Sequence, residues 1–399
     1  MTIEADDFRN LWPLDPSFTF LNHGSYGAVP KAIIEAQNEL HYYIESQPVR
    51  FFSREIEPML DRARTRLSSF INADPEGLVF VSNATTGVNT VLKSLSFSQG
   101  DEIVITNHIY NACRNAVYVL AEKYGVIVRT VVIPIPIQSK ESVLESILSA
   151  VTDRTKLVLI DHITSPTAMI FPIEELASIL AEKGIDVLVD GAHAPGMIPL
   201  NLKSLPVAYY TGNCHKWLCC PKGSGFLYIR KDRRNLIRPL VTSHGANSTR
   251  VDKSFLHLEF DWTGTDDYTP YILIPKCIDF LDSILPGGWH DLAQRNHELV
   301  LEAASVLCER FETHLQAPAD MIGSMACIPF AALDDSYKAP GTKHFDPIQD
   351  LLFHRYKIEV PVVTFEGFPQ RMVRISAHAH NSMEDYMKLA HAIEEIVGH

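Results

Sequence analysis

Two patterns alternate between residues 77 and 230. Short, nearly unbroken apolar runs (GLVFVS, EIVIT, VIVRTVVI, TKLVLID, IDVLVD, then VAYYTG and GFLYIR) carry the first. The earlier runs are separated by stretches whose apolar residues return every three or four positions (ATTGVNTVLKSL, NACRNAVYVLAEKYG, SKESVLESILSAV, PIEELASILAEKG). Runs of that length and β-branched content predict strands buried on both faces, and the periodic stretches predict amphipathic helices. The alternation predicts an α/β fold, a mostly parallel sheet covered by helices, with ligands bound beyond the carboxyl ends of its strands. Upstream, Pro30 opens the helical KAIIEAQNELHYYIES, and a second helical pattern covers 54–73. The pattern changes near residue 265. Helical stretches at 267–285 and 289–313 lead to short strands (ACIPFAAL, IEVPVVTF, RMVRIS) and a last helix, SMEDYMKLAHAIEEIV. The expected organisation is an N-terminal arm (1–25), a large domain (26–265) and a smaller C-terminal α+β domain (266–399). The arm is expected against the small domain or over the site, and DSYKAPGTKHF (335–345) reads as a mobile loop.

Composition narrows the class. With 399 residues, 46% hydrophobic and 21% charged, the chain suits a soluble two-domain protein. A net charge of −13 argues against nucleic-acid partners, which require a basic face. No apolar run approaches the roughly 20 residues needed to cross a bilayer, so no membrane partner is expected. MTIEADDFRN is acidic and polar, unlike a targeting peptide, which makes the cytoplasm the default compartment. The seven cysteines are odd in number and scattered, with no CxxC pair, which is not a disulfide framework. Cys214, Cys219 and Cys220 flank His215 without a second ligand pair of zinc-type spacing, so no metal is expected.

The chemistry centres on TGNCHKWLCCPKGSG (211–225), which contains Lys216, and on Asp190 at the end of IDVLVD, followed by Gly191, Ala192 and His193. A lysine amine to hold an aldehyde as a Schiff base, with an acid to keep a ring nitrogen protonated, suits pyridoxal 5'-phosphate. In SNATTGVN, the helix start at Ala84, Thr85 and Thr86 offers backbone N–H groups and hydroxyls to a phosphate, with Asn213 and His215 as further contacts. TNHIY follows a strand, and His108, Tyr110 and Asn111 are candidates to stack on the cofactor ring. Ser165 is a candidate partner for the phenolic oxygen, and His193 for the same atom or for the ring face. Arg374, in RMVRISAHAH, is suited to the carboxylate of an amino-acid substrate because its fork donates two parallel bonds. LNHGSYGAVP, with Asn22, His23 and Tyr26, suits a substrate lid.

Taken in order, FLNHGSYGAVP, SNATTGVNTVL, DHITSPTAMIFPI, DGAHAPGMIPLNL, TGNCHKWLCCPKGSGFLY, DWTGTDDYTP and VRISAHAHN resemble the class V aminotransferase family of pyridoxal-phosphate enzymes over nearly the whole chain. They are most similar to its isopenicillin N epimerase-like branch, which also holds hercynylcysteine sulfoxide lyases and other C–S lyases. The resemblance implies the fold type I transferase architecture, Lys216 as the Schiff-base lysine and Asp190 as the ring-nitrogen partner. It implies Thr85 and His215 on the phosphate, and Arg374 on the substrate carboxylate. It also implies a homodimer with shared active sites. There Thr263, Gly264 and Thr265 reach the partner's phosphate, and Arg50 or Arg54 enters the neighbouring site. Cysteine desulfurases of the family carry a nucleophilic cysteine on a loop shortly before that arginine. Here Cys327 is the last cysteine, which disfavours persulfide chemistry. Ala168 stands where the branch commonly has glycine. The expected reaction is Cα proton removal by Lys216, followed by epimerisation with a second acid, Tyr110 or a histidine. C–S β-elimination is the next reading and transamination the third.

Overall fold

The computed structural model describes residues 8–332 and 346–398; the loop read at 335–345 lies outside them. A seven-stranded sheet forms the centre. Its strands are β1 (Leu78–Val81), β2 (Glu102–Thr106), β3 (Ile127–Val131), β4 (Thr155–Asp161), β5 (Asp186–Gly191), β6 (Tyr209–Asn213) and β7 (Gly225–Ile229), in the order β1-β7-β6-β5-β4-β2-β3. Only β7 runs against its neighbours; every other adjacent pair is parallel. Successive side chains of a strand face opposite sides, which is why the runs carry no polar alternation. Val79 and Val81 pack with Val88, Val117 and Leu188 on one side, and Leu78 and Phe80 pack with Leu60, Val189 and Tyr210 on the other.

Helices cover both sides. Helix α1 (Lys31–Ser46) and α2 (Ile56–Phe70) precede the sheet, and α3 (Ala84–Ser94), α4 (Asn111–Tyr124), α5 (Lys140–Ser149) and α6 (Ile173–Glu182) connect its parallel strands. Helix α4 ends where Gly125 turns left-handed (φ 68°), and α5 begins at a Ser139 capping box. After the sheet come α7 (Ile274–Ile284) and α8 (Gly288–Arg310), then an antiparallel sheet of β8 (Met325–Ala332), β9 (Val362–Val363) and β10 (Gln370–Ser376), and α9 (Met383–Val397). Val300, Leu307, Ile328, Ile375, Tyr386 and Ile393 make a second core there.

Two expected elements are divided by proline. The stretch 267–285 forms Thr269–Ile272 and then α7, with Pro270 and Pro275 each in a first turn, the helical position that tolerates a missing N–H. IEVPVVTF splits around Pro361 into Ile358–Glu359 and β9. Ile358–Glu359 pairs in parallel with Thr19–Phe20, which ties the N-terminal segment to the C-terminal core. Trp12 is buried edge-on against His378, His380 and Phe280. No described helix is long and apolar enough to cross a membrane.

Candidate active site

A cavity of about 700 Å³ opens at the carboxyl ends of β4, β5 and β6. Parallel register sets Asp161 of β4 beside Asp190 of β5, and Asp190 beside Thr211 of β6. Asp190 is buried. Its Oδ1 accepts from Ala192 N at 3.0 Å, and its Oδ2 accepts from the Cys113 thiol at 3.2 Å. Burial raises its affinity for a proton, while those two donors and Lys216 work the other way.

Lys216 follows β6. Its Nζ lies 3.0 Å from His193 Nε2, and Trp217 Nε1 donates to His193 Nδ1 at 3.4 Å. Because the indole only donates, His193 Nδ1 is the accepting nitrogen and Nε2 carries the ring proton. Lys216 meets that N–H with the lone pair of its neutral form. Burial and Arg374 act the same way and lower its pKa to about 7. The backbone of Lys216 is held from below. His23 lies 3.1 Å through Nε2 from the Lys216 carbonyl, and Gly27 (φ 70°) packs so closely that a Cβ there would sit 2.7 Å from the same oxygen.

The N-terminus of α3 forms one wall. Asn83 caps it by accepting from Thr86 N at 2.9 Å, and Asn213 Oδ1 accepts from Ala84 N at 2.8 Å. Gly87 lets this helix approach the sheet, since a Cβ there would meet Thr211 Oγ1 at 2.1 Å. His215 Nδ1 donates to Ser224 O at 2.9 Å, which leaves Nε2 as its unengaged nitrogen. Arg374, on β10, is buried and bonds Ser25 Oγ at 2.8 Å together with the carbonyl of Ser165. Its Nε has no partner, and among the described residues no carboxylate pairs with it. A buried guanidinium in that condition has the capacity to take an incoming carboxylate.

Of the residues singled out from sequence, Tyr26, Ala84, Thr85, Thr86, Tyr110, Ser165, Asp190, His193, Asn213, His215 and Lys216 line this cavity, and Arg374 touches its wall at Ser25 and Ser165. Others lie elsewhere. His108 is buried, bonded to Thr167 Oγ1 at 2.7 Å and the Ile133 carbonyl at 2.8 Å, with its ring on Phe365; Tyr110 occupies the cavity instead. Asn111 is the first residue of α4 and does not line the cavity. Asn22 donates to Glu359 at 3.0 Å. His23 lies beneath Lys216 rather than in a lid. Arg54 and Thr265 are exposed and away from this cavity. Ser25, Asp161 and Lys222 also line it and were not singled out. Asp161 had a signal, since it ends an apolar run just as Asp190 does.

His23, His378 and His380 have ring nitrogens within 4.8 Å of one another. However, His23 and His378 are stacked with centroids 4.1 Å apart and planes 15° apart. A metal lies in the plane of each imidazole it binds, and two stacked parallel rings share no such point. The arrangement is a packed set of neutral rings. His380 Nε2 donates to His23 Nδ1 at 3.3 Å, and His23 Nε2 donates onward to Lys216 O.

The profile of the family described as Aminotransferase class-V matches residues 20–339. An isopenicillin N epimerase from Amycolatopsis lactamdurans is 31% identical over 401 residues, covering 96% of each chain. A putative L-cysteine desulfhydrase from Oryza sativa subsp. japonica is 29% identical over 94% of this chain and 83% of its own. Among solved structures, the cystine C–S lyase C-DES in complex with its product cysteine persulfide superposes with TM-score 0.79 at 21% identity, over 95% of this chain and 97% of that one. The cysteine desulfurase CsdA from Escherichia coli superposes with TM-score 0.78 at 17% identity, over 100% and 99%.

Proposed function

This chain belongs to the class V aminotransferase family, and on that premise we propose that it is a pyridoxal-phosphate enzyme that removes the α-proton of an amino acid and epimerises it. The observation that carries the reading is the buried Lys216 amine, 3.0 Å from His193, in one cavity with Asp190 and beside a buried Arg374 that pairs with no carboxylate among the described residues.

The residues fit the cofactor. Lys216 offers a lone pair, Asp190 a buried carboxylate, and α3 a capped N-terminus, within a volume suited to cofactor and substrate together. Pyridoxal phosphate, when bound, supplies an electron sink for the pair left at Cα. Asp190 would hold the ring-nitrogen proton. Ala84, Thr85, Thr86, Asn213 and His215 would take the phosphate, with Ser165 and His193 orienting the ring. Arg374 would fix the substrate carboxylate, and Lys216 would accept the Cα proton. Tyr110, whose phenol lines the same cavity, is the group at hand to return a proton to Cα in the epimerase reading.

A C–S lyase is the second reading, favoured by the relatives named L-cysteine desulfhydrase. It shares the first step and then expels a β-thiol. All seven cysteines are buried and none lines the cavity, so no side chain is placed to accept sulfur. We further propose a cytoplasmic homodimer in which Thr265 and Arg54 serve the partner's site; both are exposed and outside the cavity of their own chain.

The test is a screen of amino acids in D₂O that follows Cα-deuterium, the D-isomer and pyruvate together. Deuterium with both isomers and no pyruvate is the expected result. Pyruvate with free thiol would select the lyase. Alanine with a persulfide on the protein would overturn both.

A further inference from the structure

Asp161 ends β4 with 2% of its surface exposed, and it lines the cavity. Its Oδ1 accepts one long bond, from Tyr110 N at 3.4 Å, and its Oδ2 has no partner. Its neighbour in register is Asp190, a second buried carboxyl. The two are unequally served. Asp190 accepts from Ala192 N and from the Cys113 thiol, and it is drawn toward the charged form by Lys216. The groups acting on Asp161 are Asp190 from β5, the Tyr110 amide at the start of α4, its own backbone amide and, more weakly, Arg114 within α4; Lys216 and the Cys113 thiol also interact with it. Where two buried carboxyls are neighbours, the charge of one raises the cost of ionising the other, and a proton rests where the anion is least stabilised. Burial and Asp190 both push Asp161 toward holding it.

We propose that Asp161 is a second functional carboxyl of this site, un-ionised near neutral pH, whose free oxygen donates a hydrogen bond to a lone-pair acceptor of the molecule bound in the cavity. The donor is a neutral O–H, and the floor of the cavity carries one negative charge, on Asp190. A single anion there matches a ring with one protonated nitrogen, whereas two would leave an uncompensated buried charge. The identity of the acceptor rests on the pyridoxal-phosphate reading; the protonation does not.

Infrared spectra of apo protein carrying ¹³C-labelled aspartate, at pH 7 in H₂O and D₂O, test the protonation. The expected result is an un-ionised aspartyl carbonyl band that shifts on deuteration and is lost in Asp161→Asn; in Asp190→Asn, where burial still acts on Asp161 but the neighbouring charge is gone, the band titrates away at a lower pH than in the wild type. No such band in the wild-type protein overturns the proposal. So does a band lost only in Asp190→Asn, which would put the proton on the other carboxyl. The donor role is read from the pyridoxal-phosphate dissociation constant. Asp161→Ala should bind about tenfold more weakly than Asp161→Asn, whose amide still donates; equal affinities overturn that half. If no protein binds the cofactor while the band is present, the functional reading fails and the protonation stands.

Discussion

Lys216 sits where burial and Arg374 favour its neutral form against the opposing pull of Asp190, Asp161 and Cys113. Burial acts first and Arg374 second, and together they lower its pKa from 10.5 to about 7. Only a neutral amine attacks an aldehyde, so addition of pyridoxal phosphate to apo protein should quicken as pH rises and level off above about 7. Stopped-flow absorbance at several pH values checks this; a rate still climbing steeply at pH 9 would mean an unshifted lysine. Borohydride should fix the cofactor on Lys216 in the wild-type protein, and Lys216→Ala should lose the label. A label on Lys222, which also lines the cavity, would move the assignment. Arg374 makes a second residue-scale case. Arg374→Lys keeps the charge but loses the fork that spans Ser25 and Ser165. Substrate affinity should fall by about 1.5–3 kcal/mol, and cofactor affinity much less. Equal losses would mark a structural arginine.

At the scale of an element, the segment after β4 carries a stored cost. Ala168 is buried at φ 60°, in the left-handed region that glycine adopts freely and alanine does not. Its amide bonds the Thr164 carbonyl at 2.8 Å, closing the turn that places Ser165 beside Arg374. A glycine at this position would carry no such strain. Ala168→Gly should stabilise the protein by about 1 kcal/mol, the relieved strain less the added freedom of the unfolded chain. Urea denaturation reads it directly, and a variant less stable than the wild type would sink the argument. The short helix His23–Tyr26 is a second element that bears on the site. It links Lys216, through His23, to Arg374, through Ser25.

For the whole molecule, acid is the informative stress. Burial lowers the pKa of His23 to about 3, those of His108, His162 and His215 to about 4, and those of His378 and His380 well below 6.5. Below 6.5 the unfolded chain binds protons at these rings while the folded chain does not. Stability is therefore fully present above that pH and falls as pH drops toward about 4. The urea midpoint should decline from pH 7 to pH 5. His378→Phe should flatten the decline, since it removes one titrating ring whose Nδ1 has no partner in the fold. An unchanged slope would show that these rings do not carry the effect.

The strand–helix alternation was legible in the sequence because a strand buried on both faces must be apolar throughout, and a covering helix must be apolar on one side. Lys216, Asp190 and Thr85 could be singled out because strand ends in a parallel sheet converge on one edge, and each stands just past an apolar run. Which neighbour of a strand end turns into the cavity was not legible, because it depends on backbone turns and on partners distant in the chain. Tyr110 lines the cavity, while His108, two residues earlier, is held by Ile133 and Thr167. His23 reads as a lid residue until the chain brings it 3.1 Å from the Lys216 carbonyl, across 193 positions. Asp161 is an ordinary strand-end carboxylate in one dimension. Only the parallel register of β4 and β5 sets it beside Asp190, where two buried carboxyls compete for a single proton.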